Sequence, residues 1–213
     1  MSSGTLIIQD LGRRPYEPVW ADMKAFTDAR DAQTPDELWR VEHEPVLTQG
    51  LAGKPEHVLN PEALSQAHIP LVATDRGGQV TYHGPGQVVL YPLLDLERLG
   101  LGVRCLVDHL EQIVIDLLAD FGVDSARRDG APGVYIAGEK VASIGLKVRR
   151  GCTYHGLAVN VAMDLAPFSL INPCGMAGLA MTQISTHCTG LDFEGVCESL
   201  TTRLTQRLGY DQT

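Results

Sequence analysis

The chain has 213 residues, 44% of them apolar and 20% charged. Those values suit a folded domain with a sizeable core, and they exclude a disordered tail, a collagen-like chain and a coiled-coil rod. Acidic residues number 26 against 17 lysines and arginines, a net charge of −9, which excludes a dedicated nucleic-acid binder because phosphate affinity needs clustered positive charge. No apolar run reaches the ~18 residues of a membrane helix. The opening segment has no basic region followed by a long apolar stretch, so it does not read as an export signal. The expectation is a soluble, cytoplasmic protein with no membrane or nucleic-acid partner. The cysteines at 105, 152, 174, 188 and 197 are odd in number and lack framework spacing, so reduced thiols are expected.

In chain order, Val19, Trp20, Met23 and Phe26 recur at helical spacing and predict a helix over 16–31. A break follows at 31–36. Residues 38–49 read as a strand, with Pro45 at an edge or bulge position, and a loop follows it. Two short apolar runs within 69–94 flank a polar, glycine-dense stretch. The clearest helix is 103–121, where Val103, Leu106, Val107, Leu110, Val114, Leu117, Leu118 and Phe121 form one stripe and Gly122 supplies the stop. Residues 133–162 read as consecutive strands turning near Gly138 and Gly151. Residues 166–190 read as loop with short strand content. A last helix opens near Asp192 and carries Val196, Leu200, Leu204 and Leu208. The pattern predicts an α+β layer structure spanning 1–213 as a single domain.

Three stretches can carry chemistry. The first is Arg76, Gly77, Gly78, Gln79, Val80, Thr81, Tyr82, His83, Gly84, Pro85, Gly86 and Gln87. Glycine lets the backbone approach a ligand closely, although a hairpin loop has the same composition. Neither a P-loop nor a GxGxxG motif is present, so nothing argues for a bound nucleotide.

The second stretch runs from Gly138 to Arg150. Period-two alternation puts Lys140, Ala142, Ile144, Leu146 and Val148 on one face, and Ser143, Lys147 and Arg149 on the other. Lys140 then ends the apolar face, where its charged form is disfavoured and proton acceptance is favoured. A snorkelling lysine at a strand end is the plain alternative, and a bulge at Gly145 would upset the phase beyond it. The third stretch is Asn172, Pro173, Cys174, Gly175 and Met176, which sets a thiol on a tight turn. Cys197 and Cys105 sit among core-like neighbours, so Cys174 is the nucleophile candidate by position. Cys152 with His155, and His187 with Cys188, do not match structural zinc spacings, and no metal site is expected.

Four blocks together carry a resemblance: 76–87, 140–145, 150–160 and 172–175. In this order they resemble the lipoyl(octanoyl) transferases, the octanoyl-[acyl-carrier-protein]:protein N-octanoyltransferases of lipoate biosynthesis. The resemblance implies a mixed β-sheet flanked by helices, as in the catalytic domain of biotin/lipoate protein ligases. It implies an acyltransferase that moves octanoyl from acyl carrier protein to a lysine of lipoyl domains. Those acceptors are the lipoyl domains of 2-oxoacid dehydrogenases and the glycine cleavage H protein. Cys174 would carry the acyl group as a thioester and Lys140 would pair with it. The block Arg76–His83 (with Gly77, Gly78, Gln79, Val80, Thr81 and Tyr82), Ser143, Ile144 and Gly145, and Gly156, Leu157 and Ala158 would hold the acyl chain and its carbonyl. Lys147 stands where arginine is common in the family. No cofactor is implied, because a thioester donor is already activated. The alternatives are an ATP-dependent lipoate/biotin-type ligase, set apart by its need for ATP, and a non-catalytic acyl-binding module. Arg127 with Arg128, and Lys147 with Arg149 and Arg150, are candidate docking charges for an acidic carrier.

Overall fold

The computed structural model describes residues 5–210. Met1–Gly4, part of the opening segment read above, and the last three positions of the single-domain span lie outside the described residues. The elements are β1 Leu6–Arg14, α1 Tyr16–Ala29, β2 Asp36–His43, β3 Val46–Gln49, α2 Pro61–Gln66, β4 Leu71–Ala73, β5 Val80–His83, β6 Gln87–Leu93, α3 Leu96–Leu99, α4 Val103–Asp120, β7 Gly133–Ile136, β8 Glu139–Arg149, β9 Cys152–Asn160, α5 Ile184–His187 and α6 Phe193–Arg207. The larger sheet has the order β1-β2-β6-β9-β8-β7, and a smaller one has the order β4-β3-β5. β1 runs parallel to β2, with α1 as the crossover, and the other pairs of the larger sheet are antiparallel. The expected mixed sheet flanked by helices is what forms.

The central strands read as continuous apolar runs because both faces are covered. On β6, Val88 and Leu90 face one way and Val89, Tyr91 and Leu93 the other. The first set packs with Leu106, Leu110, Ile113, Val114 and Leu117 of α4 and Val196, Leu200 and Leu204 of α6. The second packs against Val19 and Met23 of α1. Asp192 caps α6 by accepting from Gly195 N at 2.8 Å, which satisfies one of the donors a helix start leaves free.

Several sequence expectations shift. The strand predicted over 38–49 is two strands in different sheets, and Pro45 lies in the turn between them. Within 166–190 the strand content reduces to isolated bridges, Ile171 with Val58 and Met181 with Lys140. Val103 and Phe121, at the two ends of the α4 stripe, are exposed. Among the described residues no helix is long and apolar enough to cross a membrane.

Candidate active site

Asn172, Pro173, Cys174 and Gly175 form a 3₁₀ turn after the bridge at Ile171. It is pinned by Asn172 N donating to His57 O at 2.8 Å and Gly175 N donating to Asn172 O at 2.9 Å. Cys174 itself has φ 56° and ψ 20°, a left-handed conformation that costs a non-glycine residue on the order of 1 kcal/mol. The thiol is thus held at a bent corner. Gly175 also has positive φ, and a Cβ there would stand 2.5 Å from Gln79 Nε2, so a larger residue beside the nucleophile would displace the Gln79 amide.

Lys140 reaches this thiol from the other side. Its side chain is buried, at 1% exposure, and Nζ donates to Cys174 Sγ at 3.0 Å and to Pro132 O at 2.8 Å. Nζ also lies 5.4 Å from the Tyr135 ring centroid, within cation–π range. The Lys140 backbone is fastened to the segment that follows the nucleophile turn: its N–H donates to Ala180 O and its carbonyl accepts from Thr182 N.

The strand phase that favoured Lys140 needs correction. Tyr135 pairs with Lys140 but Val134 pairs with Ala142, so Val141 is an extra residue in β8. Val141 and Ala142 both enter the main apolar cluster. This bulge, and not one at Gly145, uncouples Lys140 from the row of Ala142, Ile144 and Leu146.

The glycine-dense loop is organised by Arg76. Its guanidinium is buried and donates to Thr48 Oγ1, to Thr48 O at 2.5 Å, to Gly77 O at 2.9 Å and to Gln79 O at 2.8 Å. All of these acceptors are neutral. Burial works against the charge and lowers the Arg76 pKa from its ordinary value, while Tyr16, Cys174 and Tyr91 act in the opposite direction. Gly77 N–H is spent on Leu146 O at 2.9 Å, joining the loop to β8.

A cavity of about 530 Å³ lies between these parts, within the usual range for small-molecule sites. Every predicted site residue lines it except Tyr82. Tyr82 packs edge-on against Phe168, centroids 5.5 Å apart, while its β5 neighbours Thr81 and His83 line the cavity. Several lining residues escaped the sequence reading: Tyr16, Val89, Tyr91, Val107, Pro132 and His155. His155, weighed in the sequence only beside Cys152 as a metal pair, instead lines the cavity. Val103 and Val107 were read as core and instead wall the cavity from the start of α4.

The wall residue His155 belongs to a polar cluster centred on half-buried Asp75. Asp75 accepts from Trp20 Nε1 at 2.9 Å and Tyr154 OH at 2.5 Å, and lies 3.1 Å from His155 Nε2. Burial acts to raise the Asp75 carboxyl, but the hydrogen bonds from His155, Tyr154 and Trp20 outweigh it and hold the group below the usual carboxylate range. His83 bonds Gln87 Oε1 at 2.7 Å, and burial holds its pKa down at about 3. His43 bonds Tyr91 OH at 2.7 Å, and burial lowers it to about 4. Both imidazoles are therefore neutral at physiological pH.

Three of the other cysteines are less suited to reaction. Burial raises the pKa of Cys152 and Cys188, and that of Cys197 to about 11. Cys197 is core, as expected, whereas Cys105 is half-buried with Sγ 3.5 Å from His109 Nε2. Most of the candidate docking charges are engaged within the chain. Arg149 pairs with Asp28 at 2.9 Å, Arg150 donates to the Thr27 and Asp28 carbonyls, and Arg127 pairs with Glu111 at 2.8 Å.

Residues 15–205 match the family model described as the lipoyl protein ligase A/B catalytic domain. The chain is 63% identical over 179 residues to an octanoyltransferase of Saccharophagus degradans, covering 84% of this chain and 81% of that protein. Its fold is similar to that of a lipoate-protein ligase A solved with ATP, at a TM-score of 0.77 and 14% identity, covering all of this chain and 88% of the other. It is more distantly similar to the biotin protein ligase of Aquifex aeolicus, at a TM-score of 0.57 and 10% identity, covering 96% of this chain and 70% of the other. With nine-tenths of its length matched around a cysteine and lysine in contact, the chain belongs to the lipoyl protein ligase A/B catalytic domain family.

Proposed function

We propose that this protein transfers an octanoyl group from octanoyl-acyl carrier protein to a lysine of lipoyl domains, by way of a thioester on Cys174. The observation that carries the mechanism is the 3.0 Å contact between Lys140 Nζ and Cys174 Sγ in the wall of one cavity. The octanoyltransferase identity of a relative at 63% supports the acyl group and the reaction type.

In the first half, Lys140 takes the thiol proton and the Cys174 thiolate attacks the donor thioester carbonyl. The tetrahedral intermediate expels the carrier thiolate, which takes the proton from Lys140. The octanoyl group is now a thioester of Cys174. In the second half, the acceptor lysine attacks as a neutral amine and Lys140 receives its excess proton. The amide forms, Cys174 leaves as thiolate, and the proton returns to it from Lys140. Covalent catalysis lets two protein substrates use one site in turn. The buried positive charge of Arg76 in the cavity wall favours each oxyanion. The whole chain acts as one cytoplasmic catalytic unit without a cofactor.

The test is intact-protein mass spectrometry after incubation with octanoyl-carrier protein in the absence of ATP. The expected result is one octanoyl adduct on the wild type and none on Cys174→Ala. An adduct that persists on Cys174→Ala overturns the nucleophile. A strict need for ATP moves the reading to a ligase, and an unmodified, unreactive Cys174 moves it to a binding module.

A further inference from the structure

We infer that Glu111 is a positioning residue for Lys140, acting through the peptide group between Pro132 and Gly133. This rests on the proposed Cys174–Lys140 chemistry, and it extends that pair by one residue on α4.

Glu111 is an acid on an otherwise apolar helix face, 5% exposed beside Leu110, Ile113 and Val114. A buried carboxylate must be paired or fully hydrogen-bonded. One oxygen, Oε2, accepts from Arg127 Nε at 2.8 Å, and the other, Oε1, accepts from Gly133 N at 2.8 Å. Arg127 in turn donates to Gln112 Oε1 at 2.8 Å and to Asp108 O at 3.0 Å. The segment from Arg127 to Gly133 is therefore clasped at both ends by one carboxylate, and Gly130, Ala131 and Pro132 within it line the cavity.

The second feature is where Gly133 N–H leads. It belongs to the same planar peptide group as the Pro132 carbonyl, and that carbonyl accepts from Lys140 Nζ at 2.8 Å. From Lys140 Nζ the chain runs through Pro132 C=O and Gly133 N–H to the Glu111 carboxylate, with both donors pointing toward the negative end, while Nζ donates on its other side to Cys174 Sγ. Hydrogen bonds aligned in this way polarise one another. A carboxylate on the N–H makes the carbonyl a better acceptor, which favours the ammonium form of Lys140 and hence the thiolate of Cys174. Gly133 is held open for this contact: its φ is +134°, and a Cβ would stand 2.5 Å from Lys140 Cε.

The experiment separates charge from anchoring. Glu111→Gln keeps an oxygen for Gly133 N–H and removes the charge, whereas Arg127→Gln keeps the carboxylate and loosens the clasp. Alkylation of Cys174 by iodoacetamide at neutral pH, located by peptide mass mapping, reads thiol reactivity without any acyl donor. Glu111→Gln is expected to slow it by about fivefold or more, and Arg127→Gln by less than about twofold. With octanoyl-carrier protein, Glu111→Gln is expected to lower kcat by a similar factor and leave KM unchanged. If Glu111→Gln does not fold, Glu111→Asp takes its place: it keeps the charge but withdraws from Gly133, and the same slowing is expected. Equal alkylation of wild type and Glu111→Gln, or equal slowing by Glu111→Gln and Arg127→Gln, overturns the inference. Because alkylation needs no octanoyl donor, a wild type that forms no adduct would defeat the proposed reaction without deciding this one.

Discussion

Gly133→Ala is the sharpest perturbation the structure offers. The residue has φ +134°, a region that side-chain-bearing residues rarely adopt, and strain there costs ~1–3 kcal/mol. The new methyl would also overlap the Ala142 carbonyl oxygen and lie 2.5 Å from Lys140 Cε and 3.1 Å from Nζ. The Ala142 carbonyl is backbone within the β7–β8 pair and cannot swing aside, so relief of the overlap adds ~1–3 kcal/mol. Total destabilisation is expected at roughly 2–6 kcal/mol. The lysine is the softer neighbour and moves first, leaving Pro132 O and Cys174 Sγ. The rate of octanoyl-enzyme formation should then fall by roughly 10²-fold, as for loss of a general base. Gly138→Ala is the control: its φ is +89° but nothing lies within 4 Å of its added Cβ, so it carries the backbone penalty alone. Urea titration gives stability and timed mass spectrometry gives acylation. If Gly133→Ala matches Gly138→Ala in both assays, the packing of Lys140 against Gly133 is not what holds the base in place.

Other outcomes follow from the same geometry. Lys140→Arg keeps the charge but cannot accept a proton near neutral pH, so acylation should drop by roughly 10²-fold or more; Lys147→Arg, on β8 opposite Tyr154, should be nearly silent, and equal losses would refute the assignment. His43 and His83 are held at about 4 and about 3 by burial, while an unfolded histidine takes its proton near 6.5. The unfolded chain therefore binds more protons below about 6.5, and stability should fall as pH drops from there toward 4 and then 3, by on the order of 3 kcal/mol per histidine. Urea midpoints across that window should flatten in His43→Gln, and an unchanged slope would refute the account. Arg150 donates to the Thr27 and Asp28 carbonyls at the end of α1, which has no basic residue in its last turn. Arg150→Ala should cost about 1 kcal/mol of stability and leave the KM for carrier protein unchanged; a raised KM at full stability would restore the docking role.

What the sequence makes legible is periodicity and motif order. The helix stripe of α4, the Asp192 start of α6 and the turns at Gly138 and Gly151 are local, and they stand where local rules put them. Cys174 is legible for the same reason, since proline and glycine on either side dictate a turn. Lys140 is a different case, because the alternation used to choose it assumes an unbroken β8. An extra residue at Val141 has no signature among valine and alanine neighbours. Tyr82 shows the opposite failure: a motif names consecutive residues, but a strand sends alternate ones to opposite faces. β1 escaped because it is an edge strand exposed along most of its length, with no apolar face to mark it. Of the wall residues, Tyr16 is far from the motifs in sequence and comes in by stacking on His83, whereas Val89 and Tyr91 lie just past the first motif, inside the apolar run of β6, where composition does not tell wall from core.

The nucleophile and its base have different foundations. Cys174 rides on a turn tied to His57 and Val58, beside the smaller sheet, whereas Lys140 belongs to β8 of the larger one. Their 3.0 Å separation is thus a gauge of how the two sheets seat against each other. A backbone splice close to the pair is the two-bond bridge of Lys140 with Ala180 and Thr182, with Gly77 to Leu146 a second tie to β8. A slip of an ångström at the joint leaves each sheet, each helix and each side chain intact and still uncouples proton acceptor from thiol. Catalytic competence in this fold is a property of alignment between two bodies, and it can be lost well before either of them melts.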